Sequence, residues 1–111
     1  MHELGITQEV VAIAAKGAAG RRVRRVVLEI GKLSGVFPDA VRFCFDLCAE
    51  DTVVAGAVLE IVEIPGRGQC RACGNDVSLD RPFGQCVCGN TDLEWLAGDE
   101  LRVRELEVDD V

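Results

Sequence analysis

Histidine occurs once in this chain, at position 2, and that scarcity sets the first limit on its chemistry. A single terminal imidazole cannot build a His-rich metal site, nor join a nucleophile–base–orienter arrangement. No Ser/His/Asp grouping, phosphate-cradling glycine loop or paired carboxylate in an apolar setting is present, so an enzyme is not expected. Basic residues are also short: 12 Lys and Arg stand against 19 Asp and Glu, a formal net charge of −7. A phosphate backbone needs a positive surface, so nucleic acid is excluded as the principal ligand. No apolar run approaches the roughly 20 residues that span a bilayer, so no membrane partner is expected. Nothing at the N-terminus resembles a secretory signal, and the chain reads as cytoplasmic.

The stretch from Gly66 to Gly98 lacks something else, namely enough large apolar side chains to hold its own turns. It contains only Val77, Leu79, Phe83, Val87, Leu93, Trp95 and Leu96. A cross-link must compensate. Cys70-Arg71-Ala72-Cys73 and Cys86-Val87-Cys88 provide one, as two close pairs facing each other across a short segment. Four thiolates delivered in that way are the ligand set of a tetrahedral structural Zn²⁺. Gly74 and Gly89 follow the second cysteine of each pair and allow a sharp turn beneath the metal. Two disulfides are the competing reading, weakened by the absence of a secretory signal. The second pair is C-x-C, one residue tighter than the usual C-x-x-C.

The remaining chain carries ordinary periodicities. Leu4 to about Ala19 reads as a helix, with Leu4, Val11, Ala14 and Ala18 on one stripe and Gly20 as its stop. Arg21 to Arg25, the one basic cluster, is read as a solvated loop running into an edge strand, with a phosphate or partner patch as the alternative. Val23 to Ile30 alternates as a strand, with Val26, Leu28 and Ile30 on one face and Arg25, Val27 and Glu29 on the other. Gly31 to Gly35 is a turn. A second helix runs from Pro38 to Glu50 with the stripe Val41, Cys44, Phe45 and Cys48, its two cysteines read as buried free thiols filling core space. Ala57–Ile64, Asp92–Ala97 and Glu100–Val108 read as strands, the last needing a bulge near Arg104-Glu105 to keep one buried face. Neither helix can bury its stripe except on the sheet. The expected fold is therefore α+β, two helices on a small mixed or antiparallel sheet of about three strands, with an inserted zinc-ribbon-like lobe. Residues 1–64 plus 99–111 form the α+β domain in this reading, and 65–98 the lobe.

The lone histidine has one setting in which it binds metal well. The Met1 amine, the His2 amide nitrogen and His2 Nδ1 close two fused chelate rings on one ion, and the Glu3 amide or carboxylate offers a further donor. Such nitrogen-rich, planar coordination suits Ni(II) or Cu(II) better than Zn²⁺. The competing reading is a frayed, solvated terminal side chain.

Four stretches together resemble one known family. They are Met1-His2-Glu3-Leu4, Glu29-Ile30-Gly31-Lys32-Leu33-Ser34-Gly35-Val36, the two cysteine pairs, and Gly98-Asp99-Glu100-Leu101-Arg102-Val103. In this order, and over essentially the whole chain, the sequence is similar to the HypA/HybF proteins, accessory factors that insert nickel into nickel–iron hydrogenase and sometimes urease. The resemblance implies a metallochaperone rather than an enzyme, with nickel as cargo at Met1, His2 and Glu3. It implies structural zinc at Cys70, Cys73, Cys86 and Cys88. The partners it implies are a HypB-type nickel GTPase, the hydrogenase large subunit and urease accessory proteins, met in the cytoplasm by a monomer or homodimer. Cys86-Val87-Cys88 is shorter than the family's commonest pair but removes no ligand. A zinc-ribbon adaptor without nickel carriage is the alternative, and it gives His2 no role. A rubredoxin-like iron carrier is a third reading, and it would be coloured when pure.

Overall fold

The computed structural model describes residues 2–80 and 83–110, with His2 described through its backbone alone. The elements in order are α1 (His2–Ala18), β1 (Val23–Gly31), α2 (Pro38–Ala49), β2 (Val58–Ile64), β3 (Gly66–Cys70), β4 (Asp76–Leu79), β5 (Leu93–Ala97) and β6 (Leu101–Val108). They divide into two compact units. One comprises Met1–Glu29, Val36–Val62 and Arg102–Val111, the other Ile30–Gly35 and Glu63–Leu101. The architecture is α+β, with two helices and two three-stranded sheets, ordered β2-β1-β6 and β4-β3-β5.

In the first unit α1 and α2 pack against each other and against the first sheet. Val11, Ala14 and Ala18 of α1, Val23 and Val26 of β1, and Phe45 and Ala49 of α2 share one buried cluster with Val54 and Ala57. The small alanines let the helices approach closely, and the valines give β1 its preference for a pleated surface. Helix α1 ends where Ala19 and Gly20 adopt positive φ, 52° and 87°, the left-handed C-terminal geometry that Gly20 signals. Helix α2 begins on Pro38, whose fixed φ suits a first turn. Val103, Leu106 and Val108 of β6 all pack on the same cluster. The inward face of β6 thus steps by three residues between 103 and 106, the spacing that an extra residue in a strand produces.

Two expectations change here. Strand β1 lies in the middle of its sheet, so Arg24 and Arg25 do not guard an edge. Arg25 instead pairs with Glu60 at 2.8 Å and Glu107 at 3.4 Å on the neighbouring strands, and Arg24 pairs with Asp109 at 3.1 Å. These pairs lie at the surface, where water and salt screen them and they add little to stability. From Val26 onward β1 is also buried on both faces, because Glu29, 8% exposed, is covered by Arg102 at 2.6 Å and Arg104 at 3.9 Å. A central strand under an ion-pair layer does not alternate in burial as an edge strand does.

The second unit is built on an antiparallel sheet with β3 in the centre. Gly66 pairs with Leu79 and Gln69 with Asp76 on one side, while Gln69 pairs with Glu94 and Cys70 with Leu93 on the other. The segment Gly31 to Gly35 belongs to this unit and is not a free turn. Leu33, 4% exposed, is its apolar plug, and its N–H donates to the Gly98 carbonyl at 2.6 Å. Gly31 N–H donates to Glu100 O at 2.7 Å, and Lys32 N–H to Ile64 O at 2.9 Å. Glycine is required where these backbones cross: a Cβ on Gly98 would lie 2.6 Å from Gly66 Cα and 3.0 Å from the Leu33 side chain.

Candidate metal centre

Strand β3 delivers Cys70 at its end, where the chain reverses through Arg71–Cys73 onto Gly74, at φ +78°. Gly74 N–H donates to Cys70 O at 2.9 Å and Cys70 N–H to Asn75 O at 2.9 Å, so the turn is closed from both sides. The second turn repeats this with one residue fewer. Gly89, at φ +96°, donates to Cys86 O at 2.8 Å, and Cys86 N–H donates to Asn90 O at 2.9 Å. Gly89 thereby takes the bend that the shorter C-x-C spacing demands, a conformation costly for any residue with a Cβ.

The two turns bring four thiols together. All four Sγ atoms lie within 4.8 Å of one another, and Cys70–Cys88 and Cys73–Cys86 stand 3.6 Å and 3.5 Å apart. A tetrahedral ion with metal–sulfur bonds of about 2.3 Å has sulfur–sulfur edges of about 3.8 Å, so the cluster fits one ion. These separations far exceed an S–S bond of about 2.05 Å, and all six cysteines are free. Cys70 and Cys86 are buried, whereas Cys73 and Cys88 face solvent.

The thiols do not share protons evenly. The Asn90 side-chain amide donates to Cys70 Sγ at 3.4 Å, and the Cys73 backbone N–H does so at 3.4 Å. Asn90 first, then Cys73 and Ala72, pull the Cys70 thiol down to about 6. Cys73 is drawn down by the Asn75 N–H, but Cys86, Cys70 and Cys88 beside it, with desolvation, push it up to about 12. Cys88 has its own amide donor at Asn90, yet its neighbours Cys70 and Cys86 leave it raised. One thiolate is therefore favoured, and further ionisation is opposed until a cation neutralises the cluster. Zinc added at pH 7 should displace protons from at least Cys73 and Cys88, and affinity should fall as pH falls. Calorimetry in buffers of different ionisation enthalpy checks this. Release of two or more protons per zinc is expected, and release of none would contradict it.

Asn90 escaped the sequence reading, although its place beside Gly89 after the second cysteine pair was the available signal. Asn90 Nδ2 also donates to Asp92 O at 2.9 Å, which fixes its aim at Cys70. The terminal candidates stand differently. Met1 and the His2 side chain lie outside the described residues, and Glu3 is half-buried in the first turn of α1. The helix itself starts at His2, two residues before the expected Leu4. Thr7, fully buried, donates its hydroxyl to Glu3 O at 2.5 Å and anchors that first turn.

Comparison with known proteins agrees across the chain. Residues 1–108 match a family model described as hydrogenase/urease nickel incorporation, metallochaperone, hypA. The hydrogenase maturation factor HypA of Trichormus variabilis is 57% identical over 111 residues, 100% of this chain and 98% of that protein. That of Geobacter metallireducens is 52% identical over 110 residues, 98% of this chain and 100% of the other. The solution structure of the nickel metallochaperone HypA from Helicobacter pylori superposes with a TM-score of 0.69 over 96% of each chain. At 23% identity it speaks for the fold.

Proposed function

The chain belongs to the HypA family of nickel-incorporation metallochaperones, and from that membership we propose that it binds Ni(II) at its N-terminus and delivers it to nickel–iron hydrogenase during maturation. In this reading Met1, His2 and Glu3 hold the nickel, while Cys70, Cys73, Cys86 and Cys88 hold a structural zinc. The protein acts as a carrier and maturation factor, not as a catalyst.

The observation that supports the terminal site most is the start of α1 at the chain's one histidine. The first four N–H groups of a helix have no intrahelical acceptor, so the amides of His2 and Glu3 are not tied into the helix ladder. An amide nitrogen that is free of a hydrogen bond is one that a metal can deprotonate and bind. The helix dipole opposes a cation at this end. Deprotonated amide and the Glu3 carboxylate supply the negative charge that offsets it. Thiolate and imidazole softness divides the metals accordingly: four sulfurs suit zinc, and an amine, amide and imidazole set suits square-planar Ni(II).

Carriage then follows from the ligands. A site made largely of main-chain nitrogen at a chain end opens as that end is peeled away, so a recipient can take the ion without unfolding the carrier. We place a HypB-type GTPase before it and the hydrogenase large subunit after it, with urease accessory proteins as further recipients, all in the cytoplasm. His2→Ala is expected to weaken nickel binding on the order of 100-fold or more by removing the imidazole and the chelate ring it closes with its own amide nitrogen, with zinc content and helix content unchanged. Native nickel affinity in His2→Ala would sink the terminal assignment.

A further inference from the structure

Cys44 and Cys48 take no part in the four-cysteine centre, and neither is fully buried as a core-filling thiol would be. Val41, Phe45 and Ala49 on the same helix are buried, but both cysteines are only half-buried, and both are free thiols. Cys48 packs in part on the buried cluster, while Cys44 lies outside it. One turn apart on α2, the two side chains share a face of the helix.

That spacing selects one kind of chemistry. Residues at i and i+4 hold their Cβ atoms about 5–6 Å apart, beyond the roughly 3.5–4.5 Å that a disulfide tolerates. The pair is therefore not built to oxidise within a regular helix. Two thiolate–metal bonds of about 2.3 Å in line span about 4.6 Å, which two such side chains reach without distorting the backbone. Among the described residues, His, Cys, Asp and Glu gather in threes only at Cys70, Cys73, Cys86 and Cys88. No third or fourth ligand of those types completes a tetrahedral or planar site on α2, which removes Zn²⁺ and Ni(II) from consideration. What remains is a soft ion content with two sulfurs. Proximity is also felt electrostatically, since burial first and the Cys44 thiol second raise the Cys48 pKa.

We propose that Cys44 and Cys48 form a two-thiolate site on α2 for a soft, two-coordinate d¹⁰ cation, with Cu(I) as its representative. Binding exchanges two thiol protons for one Cu(I), with no change of oxidation state. The site is independent of the nickel reading above: it uses neither the terminus nor the four-cysteine centre.

The test is an anaerobic Cu(I) titration of zinc-loaded protein against a chromogenic Cu(I) chelator, with a zinc indicator present. The native protein should hold one equivalent of Cu(I) without releasing zinc, and X-ray absorption should show two sulfurs on the copper. Cys44→Ser, which leaves the buried cluster untouched, should weaken that equivalent on the order of 100-fold with unchanged helical circular dichroism. Cys48→Ser should do the same. The proposal is overturned by no uptake in the native protein, by equal uptake in the serine variants, or by copper that enters only as zinc leaves.

Discussion

Stripping the metal from the four-cysteine centre, or replacing Cys86 by alanine, should unfold the second unit almost completely. Its buried side chains are few, chiefly Ile30, Leu33, Cys70, Leu79 and Cys86, and two of these five belong to the four-thiol cluster. Phe83 and Val87 contribute nothing to a core, at 88% and 98% exposure. A structural zinc supplies on the order of 10 kcal/mol or more to a small domain, which exceeds what this handful of contacts provides. Amides of β3, β4 and β5 should lose hydrogen-exchange protection, and the emission of Trp95 in β5 should change. Helices α1 and α2, which have a buried cluster of their own, should keep their circular dichroism. Undiminished protection of β3 after complete metal removal would show that the lobe is held by packing alone.

A single methyl group at Gly31 should be nearly as damaging. A Cβ there would run into the Gly98 carbonyl carbon and oxygen and stand 2.7 Å from Asp99 N, all of them backbone atoms. No side-chain rotation relieves such a contact, so the strand crossing itself must move. The Leu33 N–H to Gly98 O bond and the Gly31 N–H to Glu100 O bond would be strained with it. Gly31→Ala is expected to cost at least about 3 kcal/mol, the upper range for overpacking a closed site. Gly5→Ala is the matched control, because nothing lies within 4 Å of a Cβ at Gly5 in α1. It should stabilise by roughly 0.5–1 kcal/mol through helix propensity. Thermal melts of the two variants should therefore move in opposite directions. A Gly31→Ala variant that melts with the native protein would contradict the crossing.

The contrast between these two glycines shows what a sequence conveys and what it withholds. Both helices, the strands Val23–Gly31 and Leu101–Val108, and the pairing of the four cysteines were legible, because each rests on local periodicity or short spacing. Strands β3 and β4 were not. Gly66-Arg67-Gly68-Gln69-Cys70 has no β-branched residue and reads as turn, and only pairing across the sheet makes it a strand. Leu33 looked like one apolar residue in a glycine turn, since its partners Gly66 and Gly98 are more than thirty residues away. The burial of both faces of β1 depends on Arg102 reaching Glu29 from another strand. Asn90 acts on Cys70 across 20 positions. Cys44 and Cys48 sat on an apolar stripe whose edge, not its centre, they occupy. In each case a long-range contact decided what local pattern could not.

The most direct test of nickel carriage is a calorimetric Ni(II) titration of zinc-loaded protein with a free Met1 amine, beside one carrying extra residues before Met1. Both proteins have every side chain in common, and only the first offers an amine next to His2. One equivalent of tightly bound nickel in the first, lost in the second, is the outcome expected here. Equal nickel binding by the two would contradict a terminal chelate and move the cargo elsewhere on the chain.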